Sequence, residues 1–141
     1  MQSKIITAFI AVSLSISMSA QKLSFNKEGE FKVVQFTDMH YVHGNPKSDT
    51  TLLLVPYILD SEKPDLVVFT GDIVTGSVEG WDVITKYVIG REIPFAVTLG
   101  NHDHENGVTR EEIAELVTSY PFNVNSINNI GGRVLNDAIP V

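Results

Sequence analysis

Three short apolar segments, each followed by a polar turn and then by a helical pattern, constrain the fold of this chain more than any other feature. The segments are 31–37 (FKVVQFT), 66–70 (LVVFT) and 95–99 (FAVTL), and all three are typical of buried strands. Apolar residues recur at spacings of three and four between the segments and after the third one. The resulting order β-α-β-α-β-α predicts an α/β fold with a mainly parallel β-sheet, right-handed crossovers and covering helices.

Capping residues and prolines predict where the helices begin and end. The Thr50-Thr51 pair can cap the first helix, which should stop before Pro64. A second helix is predicted from about residue 80 to residue 90, with Trp81 as a packing anchor near its start. Thr109 and Glu112 form a capping box in front of the third helix.

The two ends of the chain depart from this pattern. Residues 1–20 combine Lys4, an apolar stretch and small residues up to Ala20, which is typical of a secretory signal peptide. We therefore expect export to the periplasm or the exterior, with residues 21–30 as a linker and residues 31–141 as the domain. An uncleaved anchor is the alternative, although the stretch is too short for a comfortable membrane span. The tail after residue 121 is predicted to hold at most one short strand.

The charge and the absence of cysteine exclude several classes of function. The net charge is −7, and sequence-independent nucleic-acid binding depends on Lys and Arg at phosphates, so no nucleic-acid-binding patch is expected. Without cysteine, the chain has no disulfides, no thiolate metal ligands and no cysteine nucleophile. The sequence contains no signal for an oligomeric state.

Polar side chains follow each predicted strand at the point where the strand ends. Asp38 and His40 follow the first strand, Asp72 the second, and Asn101 and His102 the third. Taken singly, each set also fits an ordinary turn or helix cap. Neighbouring strands lie about 4.8 Å apart, and open α/β sheets bind ligands at the carboxyl edge, so these side chains can reach a common point. Carboxylate, amide and imidazole groups favour a hard or borderline metal ion.

The blocks DMH at 38–40, GD at 71–72 and GNHD at 100–103 resemble, in order, the first three motifs of the calcineurin-like metallophosphoesterase superfamily. The resemblance covers roughly residues 31–120. It implies one half of a metallophosphoesterase αββα sandwich and hydrolysis of small phosphate esters at a two-metal site.

The resemblance also implies a role for each residue. Asp38, His40 and Asp72 would bind one ion, and Asp72 would bridge to a second ion that Asn101 also binds. The ions would be manganese, iron or zinc. By the same resemblance, His102 would hydrogen-bond the phosphate and protonate the leaving group, with the neighbouring Asp103 orienting its imidazole.

Two departures from the superfamily limit what the resemblance implies. Purple acid phosphatases have a tyrosine ligand at the position of Thr75, so a purple iron site is not expected. The superfamily also uses three later histidines, and this sequence has none after His104. We therefore expect the amino-terminal part of such an enzyme, with the first ion lacking one ligand and the second lacking two.

Several alternatives remain open at this stage. The chain can be a non-catalytic half-domain, whose third strand would have a poorly covered edge, or an exported module that binds sugars or phosphate esters without turnover. His104 is interpreted as a solvated neighbour of the site. Tyr41 and His43 lie on the loop after the first strand, where they can touch substrate or belong to a mobile loop.

Overall fold

The computed structural model describes residues 23–105, 107–126, 129–130 and 133–141, so the predicted signal peptide lies outside the described residues. Strands β1, β2 and β3 lie side by side in that order and are all parallel, which confirms the predicted α/β fold class. The elements are β1 (Val33–Phe36), α1 (Pro46–Glu62), β2 (Leu66–Thr70), α2 (Gly80–Ile89), β3 (Phe95–Thr98), α3 (Arg110–Ser119), β4 (Asn129–Ile130) and β5 (Arg133–Val134).

The hydrophobic core combines one face of the sheet with residues of all three helices. Val67 and Phe69 of β2 stand beside Phe95 and Val97 of β3, and none of these four side chains is more than 1% exposed. Side chains alternate between the faces of a strand, so all four lie on the same face. Trp81 is fully buried, as expected of a packing anchor. The cluster also includes the helix residues Leu59, Ile84, Ile113 and Val117.

β1 is the least buried strand of the sheet, although its sequence pattern predicted a buried one. Val33 is 48% exposed, Gln35 is exposed, and Val34 and Phe36 are only partly buried against the core. Among the described residues β1 pairs with β2 alone, which makes it an edge strand. The prediction failed because an apolar pattern indicates how readily a strand can be buried, whereas its actual burial depends on the neighbours that cover it.

The outer edge of β3 is covered, contrary to the expectation of a poorly covered third strand. The Phe95 amide donates to Phe122 O, and the Val124 amide donates to Phe95 O, both at 2.9 Å. The Asn125 side chain continues this pairing, because it accepts from the Val97 amide at 2.7 Å and donates to Val97 O at 3.1 Å. An Asn amide has the same donor and acceptor as a peptide group. The tail therefore acts as an edge strand before it forms the antiparallel pair β4–β5, where at most one strand was predicted.

α1 begins earlier than the predicted Thr50-Thr51 cap. Asn45 is the N-cap and accepts from the Lys47 amide at 3.0 Å, and Pro46 occupies the first helical position. Asn followed by Pro is a stronger start signal than a threonine pair. The other boundaries agree closely with the predictions, and the capping box at the start of α3 is present. Within the described ranges, every helix is too short or too polar to cross a membrane.

Candidate metal centre

The loops behind β1 and β2 remain paired beyond the ends of the two strands. The Asp38 amide donates to Gly71 O at 3.1 Å, and the His40 amide donates to Asp72 O at 2.9 Å. The parallel register of the sheet therefore continues into the loops. As a result, Asp38 and His40 are held directly beside Asp72.

Asp38, His40 and Asp72 form a group of three potential metal ligands. One ligand atom from each residue lies within 4.8 Å of the other two, and the group is open to solvent. All three residues have left-handed backbone conformations, with φ angles of 52°, 45° and 52°. This conformation disfavours non-glycine residues by about 1–2 kcal/mol each. Asp and His adopt this region more readily than most residues, and Lys63 and Glu92 have similar φ angles elsewhere in the fold, so the conformation alone does not identify the group as functional.

The chemistry of this donor set fits a metal ion. Two carboxylates at this separation repel each other unless a cation lies between them. Oxygen and imidazole ligands without sulfur suit a hard or borderline metal ion. The structure thus brings together the three residues that the resemblance assigned to the first ion.

Thr75 fixes the orientation of the His40 ring. The Thr75 hydroxyl lies 3.1 Å from His40 Nδ1, which leaves Nε2 as the nitrogen free to bind an ion. Metal-binding histidines commonly donate their second ring N–H to an oxygen in this way. Thr75 occupies the position where purple acid phosphatases have their tyrosine ligand, and here its hydroxyl contacts a ligand side chain.

We expect Thr75→Val to weaken Mn²⁺ binding about 10-fold, because loss of a hydrogen bond to a ligand histidine typically has an effect of that order. Valine keeps the shape of the side chain and removes only the hydroxyl. Isothermal titration calorimetry of the two chains measures the change. Thr75→Ser keeps the hydroxyl and should bind like the wild type; equal weakening in both variants would contradict the role.

The loop behind β3 reaches Asp72 through His102. The His102 amide donates to Asp72 Oδ1 at 2.8 Å, and the His102 and His40 rings lie edge to face with their centroids 5.3 Å apart. Asn101 directly precedes His102 and is exposed. A Cβ atom at Gly100 would lie 2.2 Å from Asp72 Oδ1, so the close approach of the two loops requires glycine at this position.

The resemblance implied that Asp103 orients the His102 ring, but the Asp103 carboxylate binds backbone amides instead. Its side chain is buried. Oδ2 accepts from the amides of Asp72 (2.9 Å) and Gly100 (2.7 Å), and Oδ1 accepts from those of Ile73 (2.9 Å) and Val74 (3.1 Å). With all four contacts made to the main chain, this carboxylate joins the loops behind β2 and β3.

Glu105 is the partner of the His102 ring, and the sequence interpretation missed it. Its Oε2 lies 2.8 Å from His102 Nδ1. The hydrogen bond to this carboxylate is the main reason why the pKa of His102 is raised, with smaller contributions from the charges of Glu105, Asp72 and Asp103. The sequence signal for this contact is that Glu105 lies three positions after His102. The resemblance pointed to the adjacent Asp103 instead.

The remaining candidates lie outside the group of ligands. Tyr41 is buried in the core and bridges to Val74, so its side chain packs inside the fold and not on an exposed loop surface. His43 is exposed on the loop after β1. His104 Nδ1 lies 3.4 Å from the Arg110 guanidinium.

Comparisons with known proteins agree with this geometry. Residues 31–138 match the sequence model of the calcineurin-like phosphoesterase family. The chain is 34% identical to phosphatase DCR2 of Saccharomyces cerevisiae, over 77% of this chain and 22% of that protein. It is 36% identical to the probable inactive purple acid phosphatase 14 of Arabidopsis thaliana, over 77% of this chain and 32% of that protein.

A bacterial relative shows a shorter match. UDP-2,3-diacylglucosamine pyrophosphatase LpxG of Chlamydia trachomatis is 34% identical over 57% of this chain and 25% of that protein. The chain therefore spans between 22% and 32% of the length of these three relatives. No solved structure matches it. The three-stranded parallel sheet with its helices agrees with one half of the predicted sandwich.

Proposed function

Because the chain belongs to the calcineurin-like phosphoesterase family, we propose that it provides the amino-terminal metal-binding part of a site that hydrolyses phosphate esters. The family is metal-dependent and acts on small phosphate esters. The observation that carries the proposal is the group of Asp38, His40 and Asp72, whose ligand atoms lie within 4.8 Å of one another. His102 contacts the same aspartate from the third loop.

Each residue of the group has a defined task in this proposal. Asp38, His40 and Asp72 would hold one ion, and Asp72 and Asn101 would contribute to holding a second. Manganese, iron or zinc suits these oxygen and nitrogen ligands. When bound, the ions would supply Lewis-acid activation of water and neutralise charge on the phosphate.

His102 is the proposed proton donor. Its Nδ1 is engaged by Glu105, so Nε2 is the nitrogen available to a phosphate ester. Glu105 raises the pKa of the imidazole, and the ring therefore keeps its proton to a higher pH than a free histidine. A protonated ring can hydrogen-bond the phosphate and then give its proton to the leaving alcohol.

A non-catalytic half-domain is the second candidate, and a phosphate-ester-binding module is a variant of it. Among the described residues, β1 is a poorly buried edge strand, and it precedes two of the three potential ligands. A weakly buried strand holds these residues less firmly than a buried one, which supports the second candidate. One relative from Arabidopsis is named as probably inactive. That name concerns the relative alone, but it makes phosphate-ester hydrolysis the decisive measurement for this chain.

Hydrolysis of an aryl phosphate by a full-length version that carries the later histidine motifs, with Mn²⁺, Zn²⁺ or Fe²⁺ added, tests the proposal. We expect turnover above the metal-only control and a loss of about 100-fold in kcat for His102→Ala, the usual contribution of a general acid. Asp60→Asn serves as the control, because Asp60 is bound to Arg91 away from the site. Metal binding without turnover would favour the half-domain, and tight ester binding without turnover would favour the binding module.

A further inference from the structure

One arginine side chain holds the backbone at the end of β3. Arg110 Nη2 donates to Leu99 O at 2.9 Å, and Nη1 donates to Gly100 O at 2.7 Å. Nη1 also lies 3.4 Å from His104 Nδ1. The guanidinium, which is partly buried, thus binds two consecutive carbonyl groups immediately before Asn101.

The position of Arg110 in α3 cannot be explained by the needs of the helix. Arg110 is the first residue of α3, where the positive end of the helix dipole disfavours a cation. The capping box of Thr109 and Glu112 already satisfies this helix end. The planar fork of the guanidinium matches two adjacent carbonyl oxygens, a geometry that lysine cannot reproduce.

Both backbone groups of Gly100 are consequently held by side chains. Its amide donates to Asp103 Oδ2 at 2.7 Å, and its carbonyl accepts from Arg110. The following residues are Asn101 and His102, and the His102 amide bonds Asp72. Fixing the Gly100 peptide group therefore fixes the direction in which the chain reaches the ligand group.

We propose that Arg110 is a positioning residue that holds the loop of residues 99–104 in place, so that the His102 amide stays bonded to Asp72 Oδ1. The catalytic meaning of this role rests on the proposed function. The positioning itself depends only on hydrogen bonds within the chain.

Amide hydrogen exchange by NMR tests the proposal on the whole chain without metal. In Arg110→Met, exchange at the Gly100 and His102 amides should become at least about 10-fold faster, as expected for local opening. The amides of β2 should be unchanged. Arg110→Lys should show a smaller increase at the same two amides, because an ammonium group can still bond one of the carbonyls.

Arg91→Met is the matched control. Arg91 binds Asp60 and Tyr87 O through its own guanidinium, so its loss should leave the Gly100 and His102 amides unaffected. The proposal would be overturned by unchanged exchange in Arg110→Met. It would equally be overturned by an increase shared with β2, since that pattern indicates a general loss of stability.

A Mn²⁺ titration of the same variants separates this proposal from the proposed function. Arg110→Met should bind Mn²⁺ about 10-fold more weakly than the wild type, a typical effect of residues that orient ligands. If the wild-type chain bound no Mn²⁺, the proposed function would fail, while the exchange data would still decide the role of Arg110.

Discussion

Asp72→Asn is expected to lower the affinity of the chain for Mn²⁺ about 100-fold, equivalent to about 2.7 kcal/mol of binding free energy. Asp72 supplies one of the two carboxylates in the ligand group. Asparagine keeps the shape of the side chain, and its oxygen can still accept from the His102 amide that now bonds Asp72 Oδ1. The loops therefore stay in place, while the negative charge that attracts the cation is lost. Isothermal titration calorimetry of the two chains provides the measurement.

Two controls separate loss of charge from loss of structure in this variant. Asp60→Asn removes a carboxylate that is paired with Arg91 away from the site, and it should bind Mn²⁺ like the wild type. Without metal, Asp72→Asn should unfold at the same temperature as the wild type or higher, because it relieves repulsion from Asp38. An unchanged Mn²⁺ affinity in Asp72→Asn would remove Asp72 from the metal site.

Asp103→Ala is expected to lower the free energy of unfolding by about 3–5 kcal/mol, because several buried N–H groups lose their acceptor at once. The Asp103 carboxylate accepts four backbone amides from two separate loops. Alanine leaves these donors without a partner in a region where the side chain is only 6% exposed. Urea denaturation followed by circular dichroism measures the change.

Asp103→Asn distinguishes the binding of backbone amides from the orientation of the His102 ring, which is the role that the resemblance implied. Asparagine offers one acceptor oxygen, and its NH₂ group would face two amide donors, so a substantial loss of stability should remain. If Asp103 acted on the His102 ring, both substitutions would reduce turnover and leave the unfolding curve nearly unchanged. Asp60→Ala, at an exposed ion pair, should change stability little.

The sheet and the grouping of Asp38, His40 and Asp72 could be predicted from sequence because both depend on local patterns. Apolar runs of strand length and capping signals define the elements, and parallel crossovers bring the strand ends to one edge. Asp38, His40 and Asp72 could thus be grouped before any coordinates were known. The same reasoning assigned His102 to this edge, and its amide does contact Asp72.

The misjudged features depend on which groups meet in three dimensions. The resemblance implied Asp103 as the partner of His102, but the side chain of Asp103 binds the backbone of the neighbouring loop and that of Glu105 contacts the ring. The contacts of Arg110 with Leu99 O and Gly100 O join residues that are 11 and 10 positions apart. No periodicity in the sequence encodes such contacts.

The exposure of β1 has a consequence for how a metal ion would act on this fold. Two of the three potential ligands, Asp38 and His40, follow the strand that has the fewest buried side chains, whereas Asp72 follows the well-buried β2. An edge strand of this kind is the first part of a sheet to fray. A cation held by all three residues would link the edge strand β1 to the buried strand β2. Metal occupancy and the local order of β1 would then rise together.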